Sequence, residues 1–334
     1  MQQKRYLSID VFRGAAIALM VFGNTALMFE GAGAWADHAT DYGFTGADLV
    51  APMFIFAIAM TYRVSFTRSL ERHGKLDTYV RIMRRYTCLM GIGFLFHPVF
   101  PATEQGILFK WGVLAAIGFA GLMTLFFIRL PRLVRLAVAV ATLVGHQLLL
   151  STTMKTTVGV QTIADISFQD GHGGLFGGIT WFAMMLLGTV VVDDFRKQNL
   201  GRLIWYGLGL TLAGVAIHLA WQSTGLPEFG GISKARATPA YALVGLGLSV
   251  LLYWVTWYVY DSKAVTKDES TFFQPIAKNS FLLFVVHPFV LVASYLVLGS
   301  SAGDLAVAIA AVINTVLIWR FAVWMDRNGH YVVI

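Results

Sequence analysis

About ten apolar stretches of roughly 20 residues each constrain the fold of this 334-residue chain more than any other feature. A stretch of that length crosses the hydrocarbon core of a bilayer as an α-helix. Only 13% of the residues are charged, whereas a soluble domain carries roughly 25%. A membrane β-barrel is excluded because its strands alternate apolar and polar residues over about ten residues, whereas this chain has long continuous apolar stretches. We predict an all-α polytopic membrane helix bundle with spans at 9–29, 47–66, 84–100, 107–128, 132–150, 174–193, 203–221, 238–260, 276–298 and 303–325.

Basic residues are distributed unevenly among the loops that join these spans. If the amino terminus is cytoplasmic, the extracytoplasmic loops contain only Lys110, Lys155, Lys234 and Arg236, and the opposite loops contain nearly all the other Lys and Arg. The positive-inside rule then places both termini in the cytoplasm. The net charge of +7 comes from loops on one side, so it does not indicate binding of nucleic acid. We expect a multi-pass protein of the cell (inner) membrane, with the lipid bilayer as one of its partners.

The chain offers little for metal or disulfide chemistry. Its one cysteine, Cys88, excludes an intramolecular disulfide and a thiolate cluster, and we expect no metal. Residues 1–10 are polar and lead directly into a full-length span, so we expect that span to be retained. We see no internal repeat of the kind that builds many transporters. These features predict one integral-membrane domain over residues 1–334, with a homodimer left open.

A histidine at the outer end of the first span is the strongest candidate for chemistry. His38 lies in a short polar loop with Asp37 and Asp41 beside it and Asp48 ten residues further on. An imidazole next to a carboxylate is a typical general base. The alternative is an exposed loop histidine without a catalytic role.

Two further polar groups lie in the first span. Asp10 and Arg13 are three residues apart and share one helix face at its inner end, where Gly14 allows another backbone or a ligand to approach closely. This pattern is also typical of a helix start with a self-paired charge. Asn24, near the outer end, indicates either helix packing or a polar cavity.

Later spans supply a second group of candidates. Asn279, Ser280 and His287 are predicted in one span, and positions 280 and 287 share a face. Pro288 deprives the carbonyl of Phe284 of its helical partner. The polar stripe predicts the lining of a substrate cavity, and interhelical hydrogen bonding is the alternative. Lys234, just before the eighth span, is either a further cavity residue or a charge flanking a helix start.

These pieces occur in an order that resembles the heparan-α-glucosaminide N-acetyltransferase family, a branch of the transmembrane acyltransferases. The resemblance rests on five segments: R-Y-L-S-I-D-V-F-R-G (5–14), H-A-T-D-Y-G-F-T-G-A-D-L-V-A-P (38–52), D-G-H-G-G-L-F-G-G-I-T (170–180), S-K-A-R-A-T-P-A-Y (233–241) and K-N-S-F-L-L-F-V-V-H (278–287). The chain departs from the family pattern at 113–117, which lacks a Gln-Arg pair, and at 171–172, where Gly-His replaces an acidic segment.

The resemblance implies a transmembrane acetyltransferase. Acetyl-CoA in the cytosol is the expected donor, and an amine or hydroxyl of a sugar or glycan outside is the expected acceptor. Direct transfer and an acetyl-histidine intermediate both remain open. The implied roles are general base for His38, orientation for Asp48, oxyanion stabilisation for Asn24, and contacts with the CoA phosphates for Arg13, Arg81, Arg84 and Arg85.

A membrane transporter or facilitator is the main rival function. Ion-coupled carriers usually keep a charged group near the middle of the membrane. Here the acids lie at span ends or in loops, at Asp10, Asp48, Asp193, Asp194 and Asp304. This distribution argues against proton coupling, although a facilitator remains open. A scaffold without enzymatic activity is the third alternative.

Overall fold

A computed structural model describes most of the chain. The described residues are 6–30, 33, 36–96, 110–156, 159–170, 172–196, 201–224, 230–262 and 271–332. Within them the helices are α1 Leu7–Ala26, α2 Val50–Leu95, α3 Val113–Phe127, α4 Arg132–Leu150, α5 Ile163–Gln169, α6 Gly174–Arg196, α7 Gly201–Thr224, α8 Pro239–Trp257, α9 Gln274–Lys278, α10 Ser280–Leu298 and α11 Asp304–Arg327. A 3₁₀ turn, Ala47–Leu49, precedes α2, and a π-helical turn, Tyr258–Ser262, follows α8.

The predicted all-α polytopic bundle is confirmed. Eight segments of the described residues are long and apolar enough to cross a membrane. One of them, Ala47–Leu95, contains the predicted span 47–66 and most of the predicted span 84–100. Its helix is interrupted between these spans at Gly74, with φ 77° and ψ 179°. Glycine adopts this left-handed φ without steric cost. Helix α3 has only 15 residues, and the chain before it, at 97–109, lies outside the described residues.

A short β-hairpin lies in the extracytoplasmic loop predicted at 151–173. Strands β1, Thr153–Thr156, and β2, Gly159–Thr162, pair in antiparallel register. The hydroxyl of Thr162 then accepts a hydrogen bond from the Asp165 backbone N–H (3.1 Å) and caps α5. The predicted spans leave residues 151–173 as a loop without strands, because four-residue strands are too short to show a clear alternation.

The chain divides into two compact units. The first consists of Met1–His38, Thr45–Ala57 and Leu252–Ile334, and the second consists of Ala39–Phe44 and Ile58–Leu251. In the first unit, α1 packs against α9, α10 and α11. In the second unit, α6 packs against α3, α4, α5 and α7. The expectation of one functional domain over the whole chain stays a prediction.

Helix α1 is held at its start by groups far away in the sequence. The Asp261 carboxylate accepts hydrogen bonds from the backbone N–H groups of Leu7 (3.1 Å) and Ser8 (3.0 Å). These are among the N–H groups that a helix leaves unsatisfied at its N-terminus. Further along, a Cβ at Gly14 would overlap the carbonyl of Phe273. The close approach that the sequence predicted at Gly14 is therefore made by the backbone that precedes α9.

Candidate functional site

His38 and Asp48 lie in direct contact in the first unit. The distance between His38 Nδ1 and Asp48 Oδ1 is 2.7 Å. The Asp48 side chain is fully buried, whereas the His38 side chain keeps 36% of its surface exposed. An ionised carboxylate can only accept, so Nδ1 carries the proton and Nε2 carries the lone pair of the neutral ring. This arrangement orients a base of the kind used in acyl transfer.

The position of Asp48 follows from the local sequence Thr45-Gly46-Ala47-Asp48. The second carboxylate oxygen, Oδ2, accepts the Thr45 backbone N–H (3.0 Å) and the Thr45 hydroxyl (3.1 Å). A side chain that reaches back to the N–H three residues earlier is half of a capping box. Asp48 also lies in the first turn of a helix, where the macrodipole favours negative charge. The T-x-x-D spacing is a signal for this support that can be read from the sequence, although no role was predicted for Thr45.

A second histidine contact joins α1 to α10. Asn24 Nδ2 lies 3.1 Å from His287 Nε2, and His287 Nδ1 lies 2.6 Å from the carbonyl oxygen of Phe284. Because a carbonyl only accepts, Nδ1 donates to it and Nε2 accepts from the Asn24 amide. The carbonyl involved is the one that Pro288 leaves without a backbone N–H. His287 is buried, so this contact fixes both ring nitrogens in one tautomer.

Comparison with known proteins shows the family to which this chain belongs. The model for "Heparan-alpha-glucosaminide N-acetyltransferase, catalytic" matches residues 5–259, which is most of the chain. The chain belongs to this family. The matched range of this heparan-α-glucosaminide N-acetyltransferase family member includes Asn24, His38 and Asp48 and ends before α10 begins.

Two curated relatives cover a smaller part of the sequence. Heparan-alpha-glucosaminide N-acetyltransferase of Homo sapiens is 42% identical over 93 residues, which is 27% of this chain and 13% of that protein. The Mus musculus protein of the same name is 37% identical over 93 residues, again 27% of this chain and 14% of the relative. The match thus spans a small part of the length of either relative.

Asn279 was predicted to line a cavity within one span, but it binds the backbone of the segment that follows α11. It lies between α9 and α10, where its φ of −116° and ψ of 25° interrupt the helix. Its Nδ2 donates to the carbonyl of His330 (3.1 Å), and its Oδ1 accepts from Val332 N–H (3.2 Å). Asn279 therefore anchors the segment after α11. Ser280, half-buried, begins α10 seven residues before His287. Cavity roles for Asn279 and Ser280 stay predictions.

Asp41 and Lys234 lie in the second unit. The Asp41 carboxylate accepts from Arg236 through Nε (2.9 Å) and Nη2 (3.0 Å) and from the Ser233 hydroxyl (3.2 Å). Arg236 Nη1 also donates to Asp165 (3.2 Å). The pKa of the Asp165 carboxyl is lowered by the Thr162 hydroxyl and, secondarily, by Arg236. Lys234 is buried, with 7% of its surface exposed, and its role in acceptor binding stays a prediction.

The predicted phosphate-binding arginines occupy two kinds of surroundings. Arg81, Arg84 and Arg85 are exposed in the second half of α2 and share one helix face, because they are three and four residues apart. Arg13 is half-buried within α1. In the part of the chain that the structure describes, no three His, Cys, Asp or Glu side chains are grouped as metal ligands.

Proposed function

We propose that this chain transfers an acetyl group from cytosolic acetyl-CoA to an acceptor on the extracytoplasmic side of the cell membrane. The proposed acceptor group is an amine or a hydroxyl of a sugar. The observation that carries the proposal is the 2.7 Å contact between the His38 ring and the fully buried Asp48 carboxylate. Membership of a family named for N-acetyl transfer supports this reaction class. Donor, acceptor and sidedness are part of the proposal.

His38 is the proposed general base. Asp48 holds the Nδ1 proton, so the Nε2 lone pair accepts the proton of the acceptor group as its nitrogen or oxygen attacks the thioester carbonyl. The new C–N or C–O bond forms, the C–S bond breaks, and the proton passes from His38 to the departing CoA thiolate. Asp48 stabilises the imidazolium that exists between these two proton transfers.

Asn24 is the proposed oxyanion donor. One hydrogen of its Nδ2 is directed at His287 Nε2, and this bond fixes the orientation of the amide. The second Nδ2 hydrogen is the one that would meet the oxygen of the tetrahedral intermediate. An amide donor that is held in place before the reaction stabilises developing charge without reorganisation. Arg13, Arg81, Arg84 and Arg85 are proposed to attract the phosphates of the donor.

The proposed reaction is tested with the purified full-length chain in liposomes. Acetyl-CoA labelled in its acetyl group is added with a panel of amino sugars, and the label is followed by thin-layer chromatography. We expect label in an acetylated sugar, and none with liposomes that lack the protein. Flux of a sugar across the liposome membrane that is independent of acetyl-CoA, without labelled product, would favour the facilitator instead.

The orientation of the chain is tested by cysteine labelling in intact cells. Thr40→Cys, at an exposed position two residues after His38, should react with an impermeant maleimide in a Cys88→Ser background. Leu76→Cys, which replaces a residue that is 77% exposed in the predicted cytoplasmic part of α2, is the matched control and should react only after permeabilisation. The reverse pattern would place His38 in the cytoplasm and contradict transfer across the membrane.

A further inference from the structure

An arginine cluster in the second unit joins four helices at positions that the span assignment places on the cytoplasmic side. It lies at the starts of α4 and α7, near the end of α6, and in the part of α2 that precedes Gly74. The arginine cluster consists of Arg63, Arg132, Arg135, Asp193, Asp194 and Arg202.

One half of the arginine cluster is built on Asp193. Arg135 is fully buried and pairs with the Asp193 carboxylate, while its Nη1 donates to the Thr189 hydroxyl (2.7 Å) and its Nε donates to the carbonyl of Leu130 (3.2 Å). Arg63 Nη1 donates to the other oxygen of Asp193 (2.7 Å), yet 41% of its side chain remains exposed. Arg135 is thus enclosed within the bundle, whereas Arg63 faces outward.

The other half is built on Asp194, which is almost completely buried. Arg132 donates to both carboxylate oxygens, at 2.8 and 2.9 Å, and the Tyr206 hydroxyl donates to the same group. Arg202 Nη1 lies 3.7 Å from Asp194 Oδ2, and 59% of the Arg202 side chain is exposed. The buried carboxylate therefore holds Arg132 in a fixed geometry, and it attracts Arg202 at a distance that is too long for a hydrogen bond.

The charges of the arginine cluster do not balance. Four guanidinium groups meet two carboxylates, an excess of two positive charges within the cluster. Helices α4 and α7 begin here, and the N-terminus of a helix adds partial positive charge. Among the described residues, Arg63 donates to Asp193 through Nη1 alone and Arg202 approaches Asp194 through Nη1 alone, and both side chains are exposed. Guanidinium groups that are held in place by carboxylates and face outward match a phosphate in charge and in geometry.

We infer that the arginine cluster binds a phosphate group of the donor nucleotide, with Arg63 and Arg202 as the contacting residues. This inference rests on the proposed function, because it assigns a site to the proposed donor. The Tyr62 and Tyr86 rings stack with centroids 5.5 Å apart, and Arg63 and Arg85 are their chain neighbours. Arg81, Arg84 and Arg85 form a second exposed basic surface in the same unit. CoA carries a 3′-phosphate and a 5′-diphosphate. One of these groups would bind the arginine cluster, and the other would bind the exposed surface of Arg81, Arg84 and Arg85.

Calorimetry with CoA tests the inference on the full-length chain in phosphatidylcholine nanodiscs, whose headgroups carry no net charge. The double variant Arg63→Gln, Arg202→Gln should bind CoA at least about 10-fold more weakly, since hydrogen bonds to charged groups are the strong ones. Arg129→Gln is the matched control: it removes one charge from an exposed position in the turn before α4 and should keep the affinity of the unchanged chain.

Further variants separate a binding role from a structural one. Arg202→Gln alone removes only an exposed group at 3.7 Å from Asp194, so it should weaken CoA binding while the melting temperature stays constant.

Dephospho-CoA then shows which phosphate is bound, because the variants lose affinity for it only if the diphosphate is the group contacted. The triple variant Arg81→Ala, Arg84→Ala, Arg85→Ala measures the neighbouring surface in the same assay. Unchanged CoA affinity in the double variant would overturn the inference alone, whereas no CoA binding by the unchanged chain would overturn the proposed function as well.

Discussion

His38→Ala is expected to reduce acetyl transfer by about 10²–10⁴-fold, the usual loss when a general base is removed. The rate should fall because no group then takes the proton of the acceptor as it attacks the thioester. The affinity for acetyl-CoA should stay nearly constant, since the base acts on the acceptor and not on the nucleotide. The rate is measured with acetyl-labelled donor and an accepted sugar, and the affinity by calorimetry.

His38→Gln separates loss of the base from loss of structure. A glutamine amide can still donate to the buried Asp48 carboxylate, so the loop should keep its geometry, but an amide does not accept the proton. Both variants should therefore transfer acetyl groups about 10²–10⁴-fold more slowly, and His38→Gln should melt closer to the unchanged chain. His73→Ala, at an exposed position in α2, is the matched control and should be fully active. Transfer by His38→Gln at a normal rate would exclude His38 as the base and direct attention to His287.

Asp48→Asn is expected to lower the rate by up to about 10⁴-fold, where the ring is forced into the wrong tautomer, and to destabilise the fold by about 1–3 kcal/mol. Both oxygens of Asp48 accept hydrogen bonds, one from His38 and the other from the backbone and hydroxyl of Thr45. An amide must turn its NH₂ group toward one of these donors. If it faces His38, the ring changes tautomer and Nε2 loses its lone pair; if it faces Thr45, a buried N–H is left without an acceptor.

Asp37→Asn is the matched control for this change. It makes the same substitution next to His38, but at an exposed side chain, so transfer and melting temperature should both stay constant. The rate and the melting temperature of each variant are measured on the same preparation. An Asp48→Asn variant that transfers acetyl groups at the normal rate would show that the carboxylate does not orient the base.

Some parts of the site were predictable because their causes are local. Pro288 has no N–H, so the sequence alone shows that the carbonyl of Phe284 lacks its helical donor. The structure shows that His287 Nδ1 donates to this carbonyl. The contact is local, because the two residues are three positions apart in the same helix. Gly14 likewise indicated a close approach, but the sequence did not show that the approaching group is the Phe273 carbonyl.

Other parts depended on packing between distant segments. Asn24 and His287 are separated by 263 positions and meet because α1 packs against α10. The sequence analysis considered His287 together with Asn279, yet Asn279 binds the backbone after α11. Of the acids near His38 in the sequence, Asp41 binds Arg236, and Asp48 is the one that reaches the ring. Sequence spacing does not encode how a loop folds back, so residue type alone left these partners undecided.

The sequence by itself determined that the chain is an all-α membrane bundle, and its motifs indicated the family. Both follow from short-range properties, because the free energy of transferring a 20-residue segment into a bilayer is close to a sum over its residues. The tertiary structure alone decided which distant polar groups meet: the Asn24–His287 contact and the arginine cluster around Asp193 and Asp194. Such contacts depend on direction and on distances of about 3 Å, so they form only after the apolar faces have set the packing of the helices.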